Sequence, residues 1–247
     1  MMFVSVIGSN SIILSMFAIL LLTSTITSIK AAQQPTQSLS SPTETVFASW
    51  VESDSKILSK RSIDGGSTFG TNVDFSNDAN CCSSPAAASF QNNVYVAWSS
   101  YQDHTSNDDI LFRKSTDGGA TFSDTINLSN TPDRSFQAAI AVSGNEVYVV
   151  WSDGTQDNHD ILLRKSTNGG ASFGSTINIS EDLQGYSEQP SIAVNGKNVY
   201  IVWRESSSNP FSDEIFYRRS SDGGITFNES INLSNCSCVY RSYNLTN

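Results

Sequence analysis

The chain has 247 residues, of which 38% are hydrophobic, 10% aromatic and 15% charged, and its formal net charge is −10. This length allows one large all-β domain or two small ones. The acidic balance argues against nucleic acid as a partner, because binding phosphates requires a basic face.

The first segment of the chain is apolar. Residues 3–29 carry no charge, and their apolar centre runs from Ile12 to Leu22. This pattern predicts a signal peptide or an uncleaved N-terminal membrane anchor within residues 1–32. A polar, proline-containing linker follows at residues 33–44, and the folded body comprises residues 45–247. In either case we expect the body to be secreted or to lie on the extracellular face of the membrane.

The body contains an internal repeat. Three nearly identical segments occupy residues 109–122, 160–173 and 214–227, and a more divergent copy ends at residues 62–69. The Asp or Asn of their shared turn stands at positions 64, 117, 168 and 222, so the steps are 53, 51 and 54 residues. A second landmark recurs with a similar step, since a tryptophan ends a hydrophobic run in each period, at Trp50, Trp98, Trp151 and Trp203. Self-similarity at this period indicates repeated modules.

Each period predicts four antiparallel strands. In the third copy these are residues 138–142, 146–151, 160–166 and 172–179. Such modules are typical of an all-β β-propeller, in which blades bury their faces against one another. The first copy has no inner strand before Thr45, and Val239–Tyr243 is a candidate to complete it, which predicts a four-bladed closed ring. A larger ring, or assembly with other copies, stays open as an alternative.

The four cysteines lie in two pairs, each of which follows a repeated module. Cys81 and Cys82 stand between the first two modules, and Cys236 and Cys238 follow the fourth. Their spacing lacks the two-residue gap of a zinc knuckle. We expect a disulfide between the two pairs if the ring closes, and free or locally paired thiols otherwise.

The repeated turn has a recognisable sequence. Ser115–Phe122 and Ser220–Phe227 both fit the pattern S-x-D-x-G-x-T-F. This resembles the Asp-box, the bacterial neuraminidase (BNR) repeat of sialidase-like β-propellers, and the resemblance covers residues 45–235. It implies the propeller fold and by itself says little about activity.

A structural role is predicted for the turn residues. Each Asp or Asn side chain can accept hydrogen bonds from its own turn, and the glycines supply positive φ angles. Asn168 is uncharged, which argues against a repeated catalytic or metal role. The residues concerned are Asp64, Asp117, Asn168, Asp222, Gly66, Gly119, Gly170 and Gly224.

Paired cations precede each turn. We expect one member of each pair to form a salt bridge with an acidic residue between neighbouring blades. These pairs are Lys60 with Arg61, Arg113 with Lys114, Arg164 with Lys165, and Arg218 with Arg219.

The varied loops lie at the opposite end of the modules from the repeated turns. Such loops on a rigid scaffold usually bind partners, so the sequence predicts a non-catalytic module that binds a glycan or a cell-surface protein. The alternative implied by the resemblance is an exo-α-sialidase, a glycoside hydrolase that needs arginines for the sialate carboxylate, a Tyr–Glu pair and an acid/base Asp. No catalytic residue is firmly assigned; the candidates are Arg134, Arg204, Arg241, Tyr186, Glu188 and Asp157.

No cofactor is predicted, apart from calcium as a secondary hypothesis. Its candidate ligands are Asp153, Asp157 and Asp160, whose carboxylates suit a hard cation but lack EF-hand spacing. His104 and His159 are predicted to be exposed loop residues rather than zinc ligands. The oligomeric state is not predicted.

Overall fold

The computed structural model describes residues 45–52, 56–75, 82–101, 108–154, 158–181, 183, 185–208 and 211–234. All regular secondary structure in these ranges is β-strand, so they contain no helix that is long and apolar enough to cross a bilayer. The predicted N-terminal segment, the linker and Val239–Tyr243 lie outside the described residues and stay predictions.

The strands form repeated sheet units, which we call blades one to four. Blade one has three described strands, in the order β1 (Val46–Val51), β2 (Ile57–Ser62) and β3 (Val73–Asp74). Blade two has four, in the order β4 (Cys82–Phe90), β5 (Asn93–Tyr101), β6 (Asp108–Ser115) and β7 (Ile126–Asn127).

The next two blades repeat the pattern of blade two. Blade three contains β8 (Arg134–Ser143), β9 (Glu146–Gly154), β10 (His159–Ser166) and β11 (Ile177–Asn178). Blade four contains β12 (Tyr186–Asn195), β13 (Asn198–Ser208), β14 (Phe211–Ser220) and β15 (Ile231–Asn232). Strands within a blade are antiparallel, and one parallel bridge between His159 and Tyr186 links blade three to blade four.

The fourth strand of blade three is shorter than the sequence predicted. In blade three it is β11, with two residues, instead of residues 172–179. The reason lies in the preceding turn, where the Asn168 side chain bonds both the backbone N–H and the hydroxyl of Ser172. These bonds hold Ser172 in the turn, so strand pairing with β10 begins only at Ile177.

Consecutive blades pack through alternate residues of their strands. In β9, Val147, Val149 and Trp151 pack against blade two, whereas Tyr148 and Val150 pack against blade four. We call the side toward the preceding blade the front face and the side toward the following blade the rear face. Because side chains alternate along a strand, a continuous hydrophobic run is what a strand covered on both faces requires.

Three hydrophobic clusters join blade one to two, two to three and three to four. Each contains a tryptophan of the following blade, and Trp98, Trp151 and Trp203 are at most 1% exposed. None of these clusters of described residues joins blade four to blade one. The closed four-bladed ring is therefore not confirmed.

The repeated turns share one hydrogen-bond network. In the turn at residues 115–122, the Ser115 hydroxyl donates to Asp117 Oδ1 at 2.7 Å, and the Thr121 hydroxyl donates to Oδ2 at 2.6 Å. The turns of Asp64 and Asp222 repeat both bonds. Hydrogen bonds from Thr68 and Ser62 lower the pKa of Asp64 to about 2. All four side chains, including Asn168, accept bonds within their own turn, as a structural role requires.

In blades two and three the second cation of the pair reaches the next blade, but its acceptor is not the one we expected. Lys114 Nζ donates to the carbonyl oxygen of Gly169 at 3.2 Å, and Lys165 Nζ donates to that of Gly223 at 2.8 Å. The acidic partner of Lys165, Glu146, lies in the same blade. A salt bridge of the expected kind joins Arg218 to Glu181, at 3.9 Å.

Cys82 is disulfide-bonded, and it packs in the cluster between blades one and two. Its sulfur partner lies outside the described residues, as do Cys81, Cys236 and Cys238. The pairing therefore stays a prediction.

Candidate functional site

Several ionisable and aromatic side chains that could bind or transform a ligand lie together at the end of the blades opposite the repeated turns. Here the inner strands β8 and β12 begin, and β9 and β13 approach their C-terminal ends. We call five residues at this edge the rim cluster; they are Phe136, His159, Tyr186, Glu188 and Arg204.

Glu188 is the centre of the rim cluster. Its Oε1 lies 3.0 Å from Nδ1 of His159, and its Oε2 accepts a hydrogen bond from Nη2 of Arg204 at 2.6 Å. Glu188 and Arg204 are directly opposite on β12 and β13, so the ladder itself sets this pair. The side chains of His159, Glu188 and Arg204 are 15%, 19% and 33% exposed. The cluster is thus partly shielded yet open to a ligand.

The imidazole of His159 is held on two sides by aromatic rings. It meets Phe136 edge to face at a centroid distance of 5.1 Å and Tyr186 at 5.0 Å. Because a carboxylate can only accept, the Nδ1 atom that faces Glu188 carries a proton, and in the neutral form of the ring the lone pair is therefore on Nε2. This arrangement presents an oriented general base.

Each inner strand of blades two to four bends at a bulge next to this edge. Ser84, Gln137 and Gln189 have φ angles of 52°, 57° and 55°, and the ladder register shifts around each of them. The backbone N–H of Gln189 donates to Oε1 of Gln137 at 2.8 Å and so ties blade four to blade three. Bulges with positive φ commonly re-aim side chains near functional sites, and here the bulge of β12 follows Glu188 directly.

Arg134 supplies a second guanidinium beside the cluster. Its Nε donates to Oδ2 of Asp108 at 2.9 Å, and its Cζ lies 5.7 Å from the centroid of the Phe136 ring. The Arg134 side chain is 53% exposed whereas that of Asp108 is 3% exposed. The guanidinium of Arg134 is therefore anchored at one nitrogen and accessible to an anionic ligand.

Two buried acids beneath the rim have a structural role. Asp153 accepts hydrogen bonds from Ser135, Thr131 and the indole of Trp151, and burial raises the pKa of this carboxyl. Glu205 repeats the arrangement with Ser187 and Trp203. Through these hydrogen bonds, each acid links the buried tryptophan of its blade to the first strand of the same blade.

Four of the six candidate catalytic residues lie in or beside the rim cluster, and the other two lie outside the described residues. Arg204, Tyr186 and Glu188 meet in the rim cluster, and Arg134 lies beside it through Phe136. Asp157 and Arg241 lie outside the described residues.

Sequence reasoning missed His159, which was predicted to be exposed and is largely covered by its neighbours. The repeated pattern Ser-x-Gln at residues 135–137 and 187–189 marks the bulges of β8 and β12, but it does not point to His159. His104 lies outside the described residues.

The calcium hypothesis gains no support from the described ranges. In them, no group of three or more His, Cys, Asp or Glu side chains is arranged to hold a metal ion. Asp153 and Asp160 are paired across β9 and β10, and Asp160 accepts a bond from Ser180 at 3.2 Å. A groove lined by Ile177, Arg218 and Phe227 lies at the outer strands and holds no predicted catalytic residue.

Similar folds occur among solved structures. An α-L-arabinanase from Penicillium chrysogenum, in complex with arabinobiose, superposes with a TM-score of 0.58 at 17% identity, over 78% of this chain and 64% of its own. An α-L-arabinofuranosidase from Fusarium graminearum gives 0.56 at 15%, over 76% and 63%. A polysaccharide lyase of family PL25, an ulvan lyase, gives 0.57 at 14%, over 79% and 54%.

These likenesses show the β-propeller fold, and the chain spans less than two thirds of the length of each of these three structures. No protein-family model and no curated protein matches the chain. The comparison also corrects one prediction. We had favoured a non-catalytic binding module, whereas the solved structures that share the fold are named as glycoside hydrolases and a polysaccharide lyase.

Proposed function

We propose that this protein is an exported enzyme that cleaves glycans at the rim cluster, with His159 as its general acid/base. The observation that carries the proposal is the hydrogen bond between Nδ1 of His159 and Glu188. It orients the ring and leaves Nε2 as the nitrogen that can exchange a proton with a substrate, as in other enzymes where a carboxylate orients a catalytic histidine. The glycan-cleaving enzymes that share the fold support the same class of substrate.

The substrate we propose is a glycan that carries carboxylate groups. Arg134 and Arg204 place two guanidinium groups at the rim, and guanidinium binds carboxylate in a planar, bidentate geometry. The net charge of −10 repels anions at long range, so recognition depends on these two arginines at short range. Both carboxylate oxygens of Glu188 have partners in the rim cluster, so His159 is the group that transfers the proton in the first of the two reactions below.

Two reactions fit this arrangement. In elimination, His159 removes the proton from the carbon adjacent to the carboxylate of a uronic acid, and the arginines stabilise the charge that develops on that carboxylate. A carbon–carbon double bond then forms as the neighbouring glycosidic C–O bond breaks, and the departing oxygen takes the proton from the His159 imidazolium. In sialidase-type hydrolysis, Tyr186 and Glu188 would serve as the nucleophilic pair; their positions two residues apart on β12 favour this second candidate, since both side chains lie on one side of the strand.

The experiment is an activity screen on purified protein with three substrates. A uronate polysaccharide is followed by the ultraviolet absorbance of the unsaturated product, a fluorogenic sialoside by fluorescence, and neutral arabinan by new reducing ends. We expect turnover of one carboxylated substrate, lost in His159→Ala and in Arg204→Ala. The matched control is Arg164→Ala, because Arg164 bonds Thr176 at the outer strand. Turnover of arabinan alone would refute the carboxylate preference, and no turnover of any substrate would refute the proposal.

A further inference from the structure

The chain contains two Asn–Gly dipeptides, Asn168–Gly169 and Asn195–Gly196. This dipeptide is chemically reactive, because glycine has no side chain to keep its backbone nitrogen away from the preceding asparagine side chain. Both asparagines are exposed to solvent. The first belongs to the repeated turn of blade three, and the second to the hairpin between β12 and β13 of blade four. The same reactive pair therefore occurs in two different surroundings.

The reaction typical of such a pair is deamidation. The glycine nitrogen loses its proton and attacks Cγ of the asparagine, which forms a new C–N bond, while the bond from Cγ to Nδ2 breaks and ammonia leaves with a proton. Water then opens the resulting succinimide ring to aspartate or isoaspartate. The attack requires a glycine N–H that is free to lose its proton and a side-chain amide that can turn toward it.

The side chain of Asn168 is held at both atoms of its amide. Its Oδ1 accepts hydrogen bonds from the Ser166 hydroxyl at 2.8 Å and from the Ser172 N–H at 3.0 Å. Its Nδ2 donates to the Ser172 hydroxyl at 2.8 Å. Turning the amide toward Gly169 would break these bonds, and each broken bond adds to the barrier of the reaction.

The backbone of Gly169 is held as well. Its N–H donates to the carbonyl of Asn145 at 2.8 Å, and its carbonyl accepts from Nζ of Lys114 at 3.2 Å. An added Cβ at Gly169 would lie 3.7 Å from the hydroxyl of Tyr95. The nitrogen that would attack is thus bonded within its own blade, and the residue lies against the neighbouring blade.

Asn195 lacks both restraints. It is the last residue of β12, and its ladder partner Asn198 is the first residue of β13, so this pair closes the hairpin, where local opening costs little. Within the described ranges no group accepts the Gly196 N–H and none bonds the Asn195 side chain; the amide of Asn198 bonds only its carbonyl oxygen. Gly196 has a φ of 58°, and an added Cβ there would meet no atom within 4 Å.

We propose that Asn195 deamidates in the folded protein, whereas the hydrogen bonds of the repeated turn protect Asn168. Isoaspartate at position 195 adds one carbon to the main chain at the closing pair of the hairpin. The carbonyl of Lys197 in this hairpin accepts the N–H of Gly223 at 2.8 Å, so the change reaches the repeated turn of blade four. The inference is independent of the proposed enzymatic activity, because the rim cluster lies at the opposite end of the blade.

The experiment incubates the purified protein at mildly alkaline pH and follows both sites by peptide mass spectrometry, with isoaspartate identified by its fragment ions. We expect conversion at Asn195 to be at least about tenfold faster than at Asn168, because the bonds of Asn168 must break first. In urea the two rates should become similar, since both asparagines follow a β-branched residue, Thr167 or Val194, and precede glycine.

A substitution in the turn tests the cause of the protection. Ser172→Ala removes the acceptor of Nδ2, and we expect it to raise the rate at Asn168 severalfold while the rate at Asn195 stays the same. The matched control is Ser175→Ala, which changes an exposed serine beyond the turn. Circular dichroism checks that both variants keep the fold.

Two results would contradict the proposal. An unchanged rate at Asn168 in Ser172→Ala overturns the protective role of the hydrogen bonds. Equal rates at the two sites in the folded wild-type protein, or no conversion at Asn195 in the folded protein, overturns the assignment of Asn195 as the reactive site.

Discussion

The imidazole of His159 and the carboxylate of Glu188 join blade three to blade four through one hydrogen bond, with 3.0 Å between Nδ1 and Oε1. The two residues are 29 positions apart in the sequence and belong to different blades. Packing of the two blades therefore positions the proposed base, and an error in that packing would misalign it.

Replacing Glu188 tests whether this residue orients His159 rather than binding the substrate. We expect Glu188→Ala to lower kcat about a hundredfold, within the range of general acid/base contributions, with a smaller change in KM because Arg134 still binds the substrate. Glu188→Gln should recover part of the loss, since an amide oxygen can still accept from Nδ1. The control is Glu146→Gln, which removes an ion-paired carboxylate at the opposite end of blade three. Equal losses in Glu188→Ala and Glu146→Gln would contradict a positioning role.

The repeated tryptophans provide an internal comparison of core packing. Trp151 is fully buried between blades two and three, so we expect Trp151→Ala to lower the free energy of unfolding by about 3–5 kcal/mol. Trp50 occupies the same position in blade one, but its front face is uncovered, so Trp50→Ala should cost about half as much or less. Urea denaturation measures both values, and equal costs would show that Trp50 is covered in solution.

Local features of the fold could be predicted from the sequence. The strand that contains each tryptophan, and the turn that follows each pair of cations, depend on short-range patterns. For example, the predicted strand at residues 146–151 lies wholly within β9, and the predicted strand at residues 160–166 within β10. Alternation of side chains and the glycine positions were sufficient for these elements.

The rim cluster could only partly be predicted, because it depends on contacts between blades. Arg204, Tyr186 and Glu188 were selected by residue type alone, and nothing local indicated that they meet. His159 follows a polar loop, which is typical of an exposed side chain, and it is covered only because β12 of the next blade brings Tyr186 and Glu188 against it. The closure of the ring also depends on long-range contacts and was not confirmed.

The disulfide of Cys82 tests where the C-terminal segment lies. We expect peptide mapping of the unreduced protein to link Cys82 to Cys236 or Cys238, because a bond to the adjacent Cys81 would have unfavourable geometry. Removing a crosslink over so long a loop by Cys82→Ser should cost about 4 kcal/mol. A Cys81–Cys82 peptide would instead show that the bond closes no long loop.

The second glycine of each turn tests the joints between blades. At Gly170, where φ is 71°, an added Cβ would lie 2.8 Å from Cζ of Phe112, whereas at Gly66, where φ is 89°, the nearest atom is 3.8 Å away. Alanine is strained at both positions, but only Gly170→Ala also pushes blade two away. We expect Gly170→Ala to lose about 1–3 kcal/mol more than Gly66→Ala. Equal losses of stability in thermal or urea unfolding would mean that the contact between blades two and three relaxes around the added methyl group without loss of stability.

Acid stability should depend on the aspartates of the repeated turns. Hydrogen bonds from threonine and serine side chains lower the pKa of Asp64 to about 2 and lower those of Asp117 and Asp222 as well. In the unfolded chain these groups titrate near the ordinary value of about 3.9. The folded protein therefore holds fewer protons between the two values, and this contribution is complete above pH ~4 and is lost as the pH falls toward ~2.

The test compares the wild-type protein with the triple variant in which Asn replaces Asp64, Asp117 and Asp222. Asparagine is a matched replacement, because Asn168 already occupies the equivalent position and bonds Ser172 through its amide. We expect the wild-type melting temperature to fall more steeply than that of the variant between about pH 5 and about pH 2. Parallel curves would show that these carboxylates are no better stabilised in the folded state than in the unfolded chain, and the turn network would then contribute nothing to acid stability.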